Sequence, residues 1–204
     1  GYDISILIDE FNNYGFQPIV LTFSDAANNE EIKEGDYVIY TSTEDINFRY
    51  KDFIEDVVFY LGQIGAKIIP KYEYLRSVNN KVSMELLRKQ VLDQDGMITS
   101  NVYGTFEEFQ KDIPNKSMIL KKPRGAMSRG VYLSKNKKDN IRIAKEISRE
   151  NNYRQDLKDW FRAYLHKGYN RESLHRNKFM SQSFIPNLSH DYKILVYGKK
   201  YFIF

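Results

Sequence analysis

The chain has 204 residues, 42% hydrophobic and 28% charged, enough for one domain or two small ones with a buried core. It has no cysteine, which removes disulfides, thiolate nucleophiles and cysteine-ligated zinc and is consistent with a cytoplasmic enzyme; its net charge of +4 is too mild to mark a nucleic-acid binder, and no nucleic-acid partner is expected. The longest apolar runs, such as residues 4–8, fall far short of the ~18–20 residues of a span, so neither a transmembrane segment nor a membrane partner is expected.

Residues 3–8 and 17–23 are apolar and rich in β-formers, with Asn12, Asn13 and Gly15 between them, and predict two strands. Glu34-Gly35-Asp36 reads as a turn into a strand at 37–41. Residues 50–62 put Phe53, Ile54, Val57, Val58 and Leu61 on one helical face. Gly65 ends that helix, and residues 66–69 predict a short buried strand stopped by Pro70. Strand–helix–strand order predicts an open α/β sheet in the first ~75 residues.

A helix is expected over 83–93, with Ser83 as N-cap and Met84, Leu87 and Val91 on its apolar side. A strand at 97–102 follows, then a short acidic helix at 106–111 that Thr105 can cap. Residues 118–121 and 131–133 predict two strands joined by a loop, and a helix from about 139 to 150 turns Ile141, Ile143, Ala144 and Ile147 inward. Residues 153–167 have helical spacing in Leu157, Trp160, Phe161, Tyr164 and Leu165. Residues 179–186 read as a strand, and 192–197 and 200–204 as a strand pair turning at Gly198-Lys199.

Chemistry concentrates in the strand–loop–strand. An apolar strand runs into Lys122-Pro123, and Gly125, Ser128 and Gly130 lie in the loop that follows. Glycines let backbone N–H groups approach phosphate oxygens, and a lysine adds a point charge at the mouth. Because a strand follows the loop, this is neither a Walker loop nor a dinucleotide fingerprint. Lys121 should point to the opposite face of the strand from Lys122. The three histidines, His166, His175 and His190, have no metal-binding spacing and read as surface or loop residues.

Charge concentrates elsewhere. Residues 154–178 hold seven basic side chains (Arg154, Lys158, Arg162, Lys167, Arg171, Arg176 and Lys178) against Asp156, Asp159 and Glu172. One reading is an amphipathic helix that packs its apolar face on the domain and keeps its charges in water; the sharper one is a recognition patch for a peptide or acidic protein, an anionic substrate or a nucleic acid.

In order and spacing these pieces resemble the ATP-grasp superfamily, and most of all the branch of ribosomal-protein glutamate ligases, glutathione synthetases and D-alanine ligases. The resemblance covers roughly residues 1–204. It implies an α/β (α+β) ATP-grasp fold: residues 1–75 as a preceding open α/β domain, 76–185 as the small grasp subdomain with a basic insertion at 151–178, and 186–204 as the start of an incomplete large subdomain. It implies ATP and Mg2+, a carboxylate activated as an acyl phosphate, and an amine or thiol acceptor. Neither substrate is identified by the sequence.

The residues carry over one by one. Lys81, ahead of the 83–93 helix, and Lys122, directly before proline, would hold the nucleotide phosphates, with Gly125, Ser128 and Gly130 closing over them. Gln182, Ser183, Phe184 and Ile185 resemble the hinge that pairs with adenine, Ser183 standing where a glutamate is usual. Asp191 matches a ribose contact, and Lys193 stands where arginine is common, keeping the charge but losing the bidentate fork.

The family's magnesium ligands and its catalytic arginine would lie beyond Phe204, so no catalytic or metal residue is assigned within the chain, which alone is expected to be inactive. Gly1 in place of Met and an end within a strand are what a fragment would show. The resemblance also implies a homodimer. A nucleotide-binding sensor or interaction module without ligase chemistry is the alternative, and a small-molecule kinase is not separated from a ligase by these residues.

Overall fold

The computed structural model describes residues 3–28, 31–43, 48–92, 98–125, 128–150, 152–188 and 192–203. The chain divides into two compact units, residues 1–76 and 77–204.

The first unit opens with α1 (Ile4–Asn13), where the sequence predicted a strand at 3–8, and continues to α2 (Phe23–Asn28) without the strand predicted at 17–23. The reason for the first miss is local. Asp3 is an N-cap whose carboxylate accepts from the Ser5 (3.0 Å) and Ile6 (3.4 Å) N–H groups. Ile4, Leu7, Ile8 and Phe11 then recur at helical spacing, and that periodicity overrides the β-preference of isoleucine. Residues 17–22 have no regular structure; α2 begins at Phe23, with Thr22 and Asp25 exchanging hydrogen bonds ahead of it.

The rest of this unit is strand–helix–strand. β1 (Tyr37–Ile39) and β2 (Lys67–Ile69) pair in parallel, Val38 opposite Ile68, joined by α3 (Arg49–Gln63). β2 is less buried than its composition predicts, with Ile69 45% exposed. Helix α3 buries Ile54, Val57, Val58 and Leu61, while Phe53 stays partly outside. It ends in a Schellman motif: Gly65 (φ +91°) donates to Gly62 O and Ala66 to Leu61 O. A Cβ at Gly65 would run into the Glu34 side chain, so both turn and packing require glycine. Buried Glu55 is sandwiched between Lys51 and Arg76, the latter on α4 (Tyr72–Ser77).

The second unit is built on an antiparallel sheet. Its strands are β3 (Ser100–Tyr103), β4 (Met118–Lys121), β5 (Val131–Ser134) and β6 (Phe179–Ser183), in the order β3-β6-β4-β5. One face carries Met118, Leu120 and Phe179 and lies under α6 (Phe106–Gln110) and α7 (Lys137–Ser148). Phe109, Phe179 and Tyr103 pack ring to ring there, with centroids 5.0–5.6 Å apart. Helix α6 has the full capping box: Thr105 receives the Glu108 N–H, and the Glu108 carboxylate receives the Thr105 N–H. Helix α7 turns Ile143, Ala144 and Ile147 into the core. Its fully buried Asn140 donates to Pro114 O (2.8 Å) and Lys116 O (3.3 Å), tying the helix to the approach to β4.

Helix α5 (Lys81–Val91) packs on β3 and β6. Its cap is Asn80, which accepts from the Ser83 N–H (3.3 Å), so the helix starts two residues before the predicted Ser83 and places Lys81 inside its first turn. Its buried side chain is Glu85, while Met84 and Val91 are exposed, against the predicted apolar face. Glu85 is held by Arg88 and Ser100, a polar contact that fixes α5 to the sheet. The last elements are α8 (Tyr153–Leu165) and the hairpin β7 (Ile194–Tyr197) with β8 (Lys200–Ile203).

Candidate functional site

The site grows from the β4–β5 connection. Directly opposed residues of antiparallel strands share a face. Ile119 faces Gln182 and Lys121 faces Met180 across β4 and β6, and Gln182 faces Ser100 on β3. Lys121 and Gln182 therefore lie on the side of the sheet away from α6 and α7. They meet directly, Lys121 Nζ donating to Gln182 Oε1 at 2.6 Å.

Lys81 joins them from the start of α5. Its backbone N–H donates to Pro123 O (2.9 Å) and its ammonium to Gly125 O (2.5 Å), so one residue stitches the helix start to the loop after β4. Burial, and then the nearby Lys121 charge, hold the Lys81 ammonium below the ordinary lysine range. Burial also lowers Lys121, partly offset by the Glu85 carboxylate. Burial pushes Glu85 up, but hydrogen bonds from Arg88 and Ser100 and the charges of Arg88 and Lys89 outweigh it, and its carboxyl ends below the usual range. The Lys121 charge bears on the Lys81 ammonium, and an oxyanion that reached both would relieve repulsion and desolvation together.

The loop narrows beside them. Lys122 N–H donates to Gly130 O (2.8 Å) and Val131 N–H to Ser128 O (3.3 Å). Gly125 (φ +128°) lies so close to the Arg129 carbonyl that any Cβ would overlap it, and Gly130 (φ +73°) is pressed against Lys122 and Arg124. Ser128 takes a left-handed φ of 63°, unusual for a serine.

Lys122 does not join this group. As expected it points away from Lys121, but its ammonium lies over the Tyr132 ring at 6.0 Å from the centroid. The sequence reading chose Lys122 because it precedes proline and placed Lys121 on the opposite face; the alternation of Met118 and Leu120 on the core side turns Ile119 and Lys121 the other way. Ser183 shares the core-side face with Met118, and its N–H donates to Thr99 O (2.9 Å). Phe184 and Ile185 follow the strand, each about two-fifths exposed. Lys193 is exposed just ahead of β7, and among the described residues it has no polar contact with Lys81 or Gln182. Asp191 lies outside the described residues.

Comparison with known proteins gives fold-level likeness only. No family model matches the chain, and no curated protein does. Solved structures similar to it include a RimK domain ATP-grasp protein from Sphaerobacter thermophilus DSM 20745, at 15% identity over 91% of this chain and 60% of that one, with a TM-score of 0.43. Another is the D-alanine-D-alanine ligase of Helicobacter pylori, at 13% identity over 96% of this chain and 55% of that one, with a TM-score of 0.40. The chain thus spans less than two thirds of the length of either protein.

Proposed function

We propose that this chain is the nucleotide-binding part of an ATP-dependent carboxylate–amine or carboxylate–thiol ligase of the ATP-grasp superfamily. One observation carries the reading: Lys81, Lys121 and Gln182 converge beside the Gly125–Gly130 turn, on the sheet face that α6 and α7 leave open. Like charges are held together at a cost unless an anion shares them, and a polyphosphate is such an anion.

In this reading Lys81 and Lys121 hold the phosphates, Gln182 aims Lys121, and the glycine turn brings backbone N–H groups close. Phe184 and Ile185 would line the base pocket. The ligase chemistry is stepwise. A substrate carboxylate oxygen attacks the terminal phosphorus and ADP leaves; the acceptor nitrogen or sulfur then attacks the acyl carbon, phosphate leaves, and the acceptor loses a proton. Among the described residues no group of three or more His, Cys, Asp or Glu is placed to hold a metal ion, so no magnesium-dependent step is assigned to residues of this chain.

Calorimetric titration of ATP into single variants tests the assignment. Lys81→Ala and Lys121→Ala should each weaken binding by about 10–100-fold, the worth of a charge-assisted contact, and Lys122→Ala by much less. Full loss in Lys122→Ala with none in Lys121→Ala would reverse the roles. ADP release stimulated by a carboxylate and an amine, in a chain as long as the ligases it is similar to, separates a ligase from a sensor.

A further inference from the structure

Helix α8 is docked the wrong way round for a soluble amphipathic helix. Gln155, Asp156 and Asp159 face the protein, and its apolar side faces solvent. Asp159, only 6% exposed, accepts from Gln155 Nε2 (2.9 Å) and Tyr169 Oη (3.2 Å) and pairs with Arg162 at 3.5 Å. Asp156 accepts from Arg149 at 2.6 Å. At about 100° per residue, Tyr153, Leu157, Trp160, Phe161, Tyr164 and Leu165 form one stripe about 140° wide. Their exposures run from 49% at Phe161 to 79% at Tyr164. This overturns the expectation that the apolar face packs on the domain.

The charge is sorted in the same way. The acidic residues of the segment are engaged internally, Asp156 by Arg149, Asp159 by its three partners and Glu172 by Arg176. Arg154 lies within the stripe between Phe161 and Leu165, Lys158 borders it, Lys167 and Arg171 follow it, and among the described residues none of the four has an ion-pair partner. The outward surface is therefore aromatic and cationic together.

We propose that α8 is a surface-binding helix that lays its aromatic stripe into an anionic lipid surface. This is independent of the nucleotide site. The stripe is convex and offers no groove, so a plane accepts it as it stands, whereas a protein partner would have to supply a matching cleft. The Trp160 and Tyr164 rings already stack on each other (6.2 Å, 9°), which takes one face of each ring from a nucleobase. The cations at the border reach the headgroups while Leu157, Trp160 and Phe161 enter the acyl boundary. No described helix is long and apolar enough to cross a membrane; α8 lies on the surface, a contact that the expectation of no membrane partner did not consider.

The chain has one tryptophan, so its emission reports α8 alone. The test titrates the 204-residue chain with phosphatidylcholine vesicles, with and without about a third phosphatidylserine. The expected result is a blue shift of Trp160 emission and protection from iodide quenching on the mixed vesicles only, lost as salt rises. Replacing Arg154 and Lys158 by glutamine should weaken binding about fivefold per cation removed, and Phe161→Asp should abolish it with unchanged circular dichroism. If a variant fails to fold, the salt and lipid-charge dependence of the unaltered chain still decides. No shift on mixed vesicles overturns the proposal. So does an equal shift on neutral vesicles, a stronger response to polyglutamate or an oligonucleotide, or the same shift on concentrating the chain alone.

Discussion

Helices α7 and α8 are near twins in sequence design and opposites in use. Each is about a dozen residues long, is capped by an asparagine whose side chain accepts from the third residue on, and carries a well-separated apolar stripe. Helix α7 buries its stripe against the sheet, while α8 buries its acids and turns the stripe outward. A 3.6-residue period shows that a helix has an apolar face; what covers that face is decided by the polar contacts made on the other side.

The contrast is sharpest in the cores. Ile147→Ala in α7 should cost about 2–5 kcal/mol in urea unfolding, since Ile147 is 2% exposed. Leu157→Ala in α8 should stay within about 0.5 kcal/mol. Equal losses would mean that α8's stripe is packed in solution.

Next in size, Asp159→Ala should cost about 1–3 kcal/mol by leaving the Gln155 and Tyr169 donors unpaired, and it should speed amide exchange in α8 but not in α7. Unchanged exchange would remove the polar-docking account.

The caps give smaller and matching effects. Asn136→Ala and Asn152→Ala should each cost about 1 kcal/mol of helix stability, and only the first should register fully in global unfolding.

Helix α5, also docked through a polar residue, gives a pH test. Glu85 keeps its charge below the usual carboxylate range, so its stabilisation is complete above the ordinary glutamate pKa and is lost as pH falls through the lower folded value. The stability gap between the unaltered chain and Glu85→Gln, measured from pH 6 down to pH 3, should close over that acidic window. A gap that widens toward low pH would reverse the sign.

Much of the frame was legible because its signals are local. Thr105 marked the start of α6, Gly65 marked the end of α3, and Lys122-Pro123 with Gly125 and Gly130 marked the β4–β5 loop. The misses came where two local signals competed or where the decisive partner is distant. At residues 3–8, isoleucine-rich composition outweighed the Asp3 cap. In α5, Asn80 takes the cap that Ser83 was expected to provide. Lys121 was read as facing away from Lys122, as it does, but its partner Gln182, 61 residues away, gave no local signal. The orientation of α8 rests on Arg149 and Tyr169, which lie outside the helix whose periodicity was read.

The hydrogen bond from the Lys81 ammonium to Gly125 O has a consequence for measured affinity. An anion that draws this ammonium off the carbonyl competes with the protein itself. The observed dissociation constant is then the intrinsic one divided by the fraction of molecules in which Lys81 is already released. A distant change that weakens the Gly125 contact would tighten binding of that anion without touching it.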